Sequence, residues 1–532
     1  MIRKFIADEI GTDYTSWKGG DIVYITAPTG SGKTTFILNV LLPYVTMLCL
    51  TILLVVNRQS LRMQIKKELA YRKSIPYKTL DELDEITTFG NLTILTYQHM
   101  EQCIANTLNI PLYNIGVNKW FNYVVFDEAH YFIEDSMFNP RTELVYNAQR
   151  YHYKRAVRIF ISATLDEFME YNNEHESFSE NGFGNCFYSR PKQTWEYSLP
   201  TDYSNYSVSY FNNFTEVCTR ISLDKTDAKW IIFVSSIEKA AYINKLIDAK
   251  LISAATKNNT FSEEGQIYGQ IVSEQKFDCK VIIATSVIDN GINLIDDELC
   301  NIVISTINQP EFMQMLGRKR SDGTPINLFI DAKSLSAING YKALQINKMI
   351  EMIYEYRNSK FKVLKTMYDD PRLYLQFHSL FRFDGRDFKL NEIAAFKIFK
   401  INAFCKRIIE RFKNEGSSAF IQEQLSWLGL EHTYSEKSWL DYDDNQAIIT
   451  EIKLYLQDIV DQPLDKEQQI KLREYLTKQF ANLYGYSEID RISRTAGIII
   501  LNRILTSYGF KFTITNISIK RKTHWVIKYT EK

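Results

Sequence analysis

Two short runs carry the chemistry of this chain. Residues 27–35 read Ala27-Pro28-Thr29-Gly30-Ser31-Gly32-Lys33-Thr34-Thr35, and residues 127–130 read Asp127-Glu128-Ala129-His130. Each follows an apolar run of strand type, Val23-Tyr24-Ile25 in the first case and Tyr123-Val124-Val125-Phe126 in the second. A glycine-rich turn ending in Lys-Thr lets backbone N–H groups wrap a triphosphate. Lys33 then reaches the β- and γ-phosphates, and the Thr34 hydroxyl binds Mg²⁺. Asp127 offers a carboxylate to the same ion, and Glu128 beside it orients or deprotonates water. In this order, each at the end of a buried-type strand, the two runs predict binding and hydrolysis of a nucleoside triphosphate.

Both runs resemble motifs I and II of superfamily 2 helicases and translocases, and other motifs of that family follow in its order. Asn57-Arg58-Gln59-Ser60-Leu61-Arg62-Met63-Gln64 looks like motif Ia and Thr96-Tyr97-Gln98 like motif Ic. Ser162-Ala163-Thr164 resembles motif III, and Ile231-Ile232-Phe233-Val234-Ser235-Ser236 is similar to motif IV. Ala284-Thr285-Ser286-Val287-Ile288-Asp289-Asn290-Gly291-Ile292-Asn293 looks like motif V, and Gln314-Met315-Leu316-Gly317-Arg318-Lys319-Arg320 like motif VI. Single short motifs are weak signals, but their shared order is specific.

The resemblance covers roughly the first 335 residues. It implies two RecA-like domains that sandwich ATP and Mg²⁺ at their cleft while nucleic acid lies across both. Lys33, Thr34, Asp127 and Glu128 come from the first domain. The second supplies an arginine finger, Arg318, with Gly291 and Gln314 also on the nucleotide. The family spacing Gly-Arg-x-x-Arg puts Ser321 at its second arginine position, and Arg320 stands one residue early. Asn293 stands where motif V often has an acid. His130 either couples hydrolysis to domain closure or is structural. Arg58, Gln64, Thr96, Gln98, Ser235 and Thr285 match positions where relatives touch the phosphodiester backbone, which hydroxyls and amides grip without reading sequence. Asp-Glu-Ala-His with this motif VI looks closer to DNA-processing members, phage and mobile-element enzymes among them, so DNA is expected ahead of RNA.

Across 532 residues, 63 basic side chains balance 63 acidic ones, so a nucleic-acid partner must be held by a local groove, not a global field. Hydrophobic content of 45% describes a globular chain, and its length suggests three or four domains. The seven cysteines (Cys49, Cys103, Cys186, Cys218, Cys279, Cys300 and Cys405) are scattered without a Cys-x-x-Cys, which suits a reduced, cytoplasmic protein. Phe36–Val56 is apolar enough to pass a length test for a membrane span. Asn39 and Pro43 within it argue instead for a helix, a turn and a buried strand. No secretory signal opens the chain, and no membrane partner is expected.

The alternation of strand and helix patterns from Asp21 to Ile161 predicts a doubly wound parallel sheet. A polar stretch over residues 172–204 reads as the connection to a second α/β unit built on Trp230–Val234, Lys280–Ala284, Asn301–Thr306 and Asn327–Ile330. The expected division is a RecA-like ATP-binding domain over 1–195, a second over 196–335, and a mainly helical domain over 336–532 that sets substrate preference. Helical periodicity marks Tyr341–Tyr368, Asn391–Phe412 and Gln446–Val460. A helix over Arg494–Tyr508, stopped by Gly509, feeds a ribbon with Lys520-Arg521-Lys522 near its turn. That pattern is either a winged-helix-like element or a surface hairpin with a basic turn. Asp441, Asp443 and Asp444 ahead of Glu451-Ile452-Lys453 faintly resemble a nuclease pattern, but Glu451 falls on a helix where such a site needs a strand.

The reading is an ATP-dependent helicase or translocase. The alternatives are a non-unwinding motor serving a separate nuclease, or a nucleotide-gated clamp that signals to a replication or defence partner.

Overall fold

Strands buried on both faces belong inside a parallel sheet covered by helices, and the N-terminal runs obey this. The computed structural model describes residues 5–57, 59–107, 120–177, 193–257, 259, 261–285, 293–319, 323–383, 388–440, 442–484, 497–507, 509–519 and 522–529. Its first sheet is built from β1 (Ile22–Thr26), β2 (Ile52–Val56), β3 (Thr88–Phe89), β4 (Leu92–Thr96), β5 (Tyr123–Asp127), β6 (Val157–Ser162) and β7 (Thr194–Ser198). The strand order is β3-β4-β2-β5-β6-β1-β7, and only the β3–β4 pair is antiparallel. No residue of β2, β5 or β6 faces solvent. Arg158 on β6 is tolerated there because Glu176 accepts from its guanidinium at 2.7 Å and Gln149 at 3.1 Å; left unpaired, a buried charge costs several kcal/mol.

The apolar stretch beyond the phosphate loop is helical from Lys33 to Met47, then turns into β2. No described helix is long and apolar enough to cross a membrane. One boundary moves. Residues 194–198, expected at the edge of a linker, are strand β7, which pairs in parallel with β1. Trp195 donates to Asp21 at 3.1 Å and the Tyr197 hydroxyl to Asp13 at 3.0 Å. An edge strand with one solvated face lacks the continuous apolar run that marks its neighbours, so Thr-Trp-Glu-Tyr-Ser passed for loop.

The second sheet holds β8 (Tyr206–Phe211), β9 (Lys229–Val234), β10 (Lys250–Ile252), β11 (Val281–Ala284), β12 (Leu299–Ser305) and β13 (Ile326–Asp331). All pairs are parallel, in the order β10-β11-β9-β12-β13-β8. Helices follow from Leu335, with two short hairpin strands, β14 (Phe381–Phe383) and β15 (Phe388–Leu390), before the long helix Glu392–Glu415. The expected helix over 341–368 is broken at Ser359, between Asn347–Asn358 and Lys360–Asp369.

That long helix ties the two sheets together. Its start enters the first domain, with Ile393 in the core beneath Phe126 and Phe132. Further along, Arg407 and Arg411 reach Glu423 at 2.6 and 2.5 Å. Glu423 lies on the helix Ala419–Ser426, whose Ile421 and Leu425 are part of the second domain's core. Each such buried side chain contributes about 1.5–3 kcal/mol. A chain ended after residue 335 is therefore expected to aggregate; soluble yield and a melting curve check this, and a soluble, cooperatively melting fragment would refute it.

The described residues from Tyr442 to Tyr529 form a core of their own around Leu456, Leu472, Phe480, Leu501, Trp525 and Ile527. The helices are Tyr442–Asp458, Lys466–Tyr484 and Ile498–Ser507, followed by the antiparallel pair β16 (Phe512–Ile519) and β17 (Lys522–Tyr529). Asp443 and Asp444 lie in the first of these helices, as does Glu451, and Asp441 lies outside the described residues. Among the described residues no cluster of three metal-ligating side chains exists.

Candidate active site

The phosphate loop leaves the C-terminal end of β1, where the strand's last carbonyls and the start of the helix Lys33–Phe36 face the same space, the usual ligand position in a doubly wound sheet. Gly32 has φ of 82°, a left-handed value that favours glycine, and a Cβ there would come within 3.2 Å of the Phe5 ring. The loop is tied on both sides: the Ala27 amide donates to the Ser162 carbonyl and the Ile6 amide to that of Ser31, both at 2.9 Å. Ala27, Ser31 and Lys33 are buried, Pro28, Thr29, Gly30 and Thr34 are half-buried, and Thr35 is exposed. The Lys33 ammonium donates to the Ala27 carbonyl at 3.0 Å and lies 4.0 Å from Glu128.

Asp127 ends β5, and the chain turns sharply after it. Glu128 adopts φ of 53°, which costs a non-glycine residue about 1–3 kcal/mol and is held by the Ala129 amide bonding to the Ile161 carbonyl at 2.9 Å. His130 Nδ1 is 2.7 Å from Ser162 Oγ and 3.3 Å from a Glu128 oxygen. The Thr164 amide donates to the same Ser162 oxygen at 3.1 Å. The end of β6 is thus wired to Glu128 through His130.

Burial, and then the adjacent Glu128 charge, push Asp127 up to about 7 against the pull of Lys33. Burial would raise Glu128 as well, but Lys33, His130 and Arg318 overcome it and hold that carboxyl well below the usual range. A buried acid short of positive charge, with a hydroxyl in the facing loop, fits Mg²⁺. That ion takes one or two carboxylates and completes its shell with phosphates and water, so the lack of a three-ligand cluster is no obstacle.

The second domain closes the site. A Cβ on Gly317 would lie 3.5 Å from Thr29 Oγ1 and 3.2 Å from the Met313 carbonyl, so the turn after the helix Gln309–Leu316 touches the phosphate loop. Arg318 is 8% exposed and close enough for its charge to lower the Glu128 carboxyl. Its carbonyl accepts from the Leu294 amide at 2.7 Å. Gln314 is half-buried on that helix. Arg320, Ser321, Gly291 and most of the run 284–293 lie outside the described residues, as does Arg58.

Thr96, Ser235 and Thr285 among the other candidate strand contacts end or directly follow β4, β9 and β11, while Gln64 and Gln98 lie in the helices after β2 and β4. Gln64 is exposed in the second turn of the helix Gln59–Arg72 and Gln98 at the start of the helix Tyr97–Thr107, and Ser235 is exposed after β9. Thr96 is buried, and its hydroxyl accepts from the His99 amide at 3.0 Å as a helix cap. Thr285 is 5% exposed, and its amide donates to Ile252 at 3.2 Å.

Two partners of this site had no signal in their own stretch of sequence. Phe5 lies over Gly32. Lys397, 2% exposed on the long helix, bonds Glu134 at 2.6 Å and Glu167 at 2.7 Å, and Asn308 of the second domain donates to Glu134 at 3.3 Å. The three parts of the chain meet a few residues past Glu128.

Sheet and site together define a P-loop NTPase with two doubly wound domains. Residues 2–167 match the family model for the res subunit of Type III restriction enzymes, a superfamily 2 helicase domain. The N-terminal part of this chain is accordingly an NTP-hydrolysing domain of helicase type. No curated protein matches the chain. Among solved structures, it is similar to Mss116p bound to single-stranded RNA and AMP-PNP (14% identity over 82% of this chain and 91% of that one, TM-score 0.43). It is also similar to S. cerevisiae Dbp5 bound to RNA and ADP BeF3 (14%, 61% and 82%, TM-score 0.39).

Proposed function

We propose that the protein is an ATP-dependent helicase or translocase that moves along or separates nucleic-acid strands, DNA ahead of RNA, in the cytoplasm. The observation that carries this reading is the approach of Gly317 and Arg318 to Thr29 and Glu128, which makes the ATP site a property of two domains at once. Phosphoryl transfer needs little covalent help, so positioning and neutralisation dominate. Loop amides and Lys33 cradle the phosphates. Glu128, kept ionised by Lys33, His130 and Arg318, accepts a hydrogen bond from the attacking water and holds it in line. Arg318 offsets charge on the transferring group. Asp127 and Thr34 would hold Mg²⁺, which neutralises the β- and γ-phosphates when bound. Because Arg318 and Glu128 lie on opposite walls, hydrolysis and release let the walls part, and His130 with Ser162 relays that change to the strand ends. Gln64, Gln98 and Ser235, exposed beyond those ends, would grip a phosphodiester backbone. The DEAH-box grouping rests on residues 127–130, and the preference for DNA on resemblance.

Two outcomes follow. Mg²⁺-dependent affinity for ATP should weaken as pH falls, since burial and the adjacent Glu128 charge favour the protonated Asp127 and the ion must displace that proton. Titration of a fluorescent ATP analogue with Mg²⁺ and with EDTA checks this; a Mg²⁺-dependent part that stays level through pH 6 would refute it, and Asp127→Asn should abolish that part. Binding of a single strand should weaken steeply with salt despite zero net charge, because phosphate contacts release counterions. Anisotropy across DNA and RNA strands measures it, and a flat response from low to physiological salt would point instead to a protein substrate.

A further inference from the structure

Charge in this chain is balanced overall, but not at its end. From Gly497 to Tyr529 there is no acidic residue. Arg503, Lys511, Lys522 and Lys528 are all exposed there, and none forms an ion pair among the described residues. The helix Ile498–Ser507 turns Leu501 and Leu505 into the core and Ile499, Arg503 and Thr506 outward, at the i, i+4, i+7 spacing of one helix face. Its placement is fixed from behind. The Asn502 amide donates to the Ile514 carbonyl at 2.9 Å while its oxygen accepts from the Ile514 amide at 2.8 Å. The link between the first two helices of this unit bridges onto β17 at Val460–Ile527 and Leu464–Trp525, and Arg473 stacks over Trp525 at 5.2 Å.

Among the described elements, helix, bridging segment, helix, then a helix feeding a two-stranded ribbon is the order of a winged helix. We propose that the helices Tyr442–Asp458, Lys466–Tyr484 and Ile498–Ser507 with the ribbon β16–β17 are a duplex-DNA docking module. The helix Ile498–Ser507 enters the major groove, and the ribbon lysines meet the flanking phosphates. An α-helix about 10–12 Å across matches a B-form major groove about 12 Å wide, whereas the A-form groove of duplex RNA is too narrow to admit it. The site is separate from the strand-end residues of the two sheets. It rests on the nucleic-acid reading above and adds to it a hold on the duplex.

The test uses the full chain without nucleotide and measures anisotropy on a blunt DNA duplex, the same duplex in RNA, and a single DNA strand. Combined Arg503→Ala, Lys511→Ala, Lys522→Ala and Lys528→Ala should weaken duplex DNA binding about tenfold or more. It should also lower the log–log salt slope by about 0.9 per lost contact. Strand-stimulated ATP turnover should stay within about twofold, since none of the four residues belongs to the phosphate loop, the Asp127–His130 turn or the Gly317–Arg318 turn. Should that variant fold poorly by its melting curve, Lys522→Glu with Lys528→Glu tests the same surface. Unchanged duplex affinity would overturn the proposal, as would an RNA duplex bound as tightly as DNA or a wild-type chain that ignores duplexes. Tight duplex binding without strand-stimulated turnover would leave this module standing and sink the motor instead.

Discussion

Glu128→Gln is expected to lower kcat for ATP by about 10²–10⁴, the range for loss of a positioned general base, with nucleotide affinity close to wild type. The glutamine keeps the side-chain length and the oxygen that faces His130, but it removes the negative charge that Lys33, His130 and Arg318 jointly stabilise. With that charge gone, ATP stays bound while the water is poorly held, and the two walls remain closed on it. The variant should therefore release nucleic acid more slowly than wild type when ATP is present, and at the wild-type rate with ADP. Lys33→Ala separates the two roles. It removes the ammonium that anchors the loop at Ala27, so ATP binding itself should weaken. Wild-type turnover by Glu128→Gln would remove the role given to this acid.

Arg318→Ala is expected to cut kcat by about 10³ or more, on the scale of other arginine fingers, while ATP affinity changes only a few-fold. A group on the opposite wall acts mainly on charge that develops during transfer, so the loss falls on kcat. The Gly317 turn already touches Thr29, so the guanidinium needs no large domain movement to reach the phosphates. Arg318→Lys should rescue little, because an ammonium cannot present the planar fork. Stopped-flow binding beside steady-state phosphate release separates the two quantities. A similar loss in affinity and in kcat would make Arg318 a binding residue and not a finger.

The parts of this molecule that are contiguous in sequence were legible in it. Ala27–Thr35 and Asp127–His130 each hold their chemistry within a few residues, and the strands before them are buried on both faces. Edge strands were not. Strands β7, β8 and β10 have solvated faces or only three residues, and their sequences resemble loops. Contacts between distant segments were also invisible. Lys397 meets Glu134 across 263 positions, and nothing near either residue announces the other. The spacing in Gly317-Arg318 suggests a finger, but only the facing sheets bring Gly317 beside Thr29 and the Arg318 charge within reach of Glu128. At the C-terminus, helical periodicity found the helices, while the long-range bridges of Val460 and Leu464 to β17 turned a helix and a hairpin into one module.

ATP hydrolysis in the cleft and strand binding across the same two domains are coupled in this reading. Steady-state phosphate release at saturating Mg²⁺ and ATP, with and without saturating single strand, tests that coupling most directly. Multiple-turnover release that the strand raises severalfold, in DNA, in RNA or in both, is the predicted result, with the rise lost in Arg318→Ala. A rate that no strand of either kind alters would contradict the account.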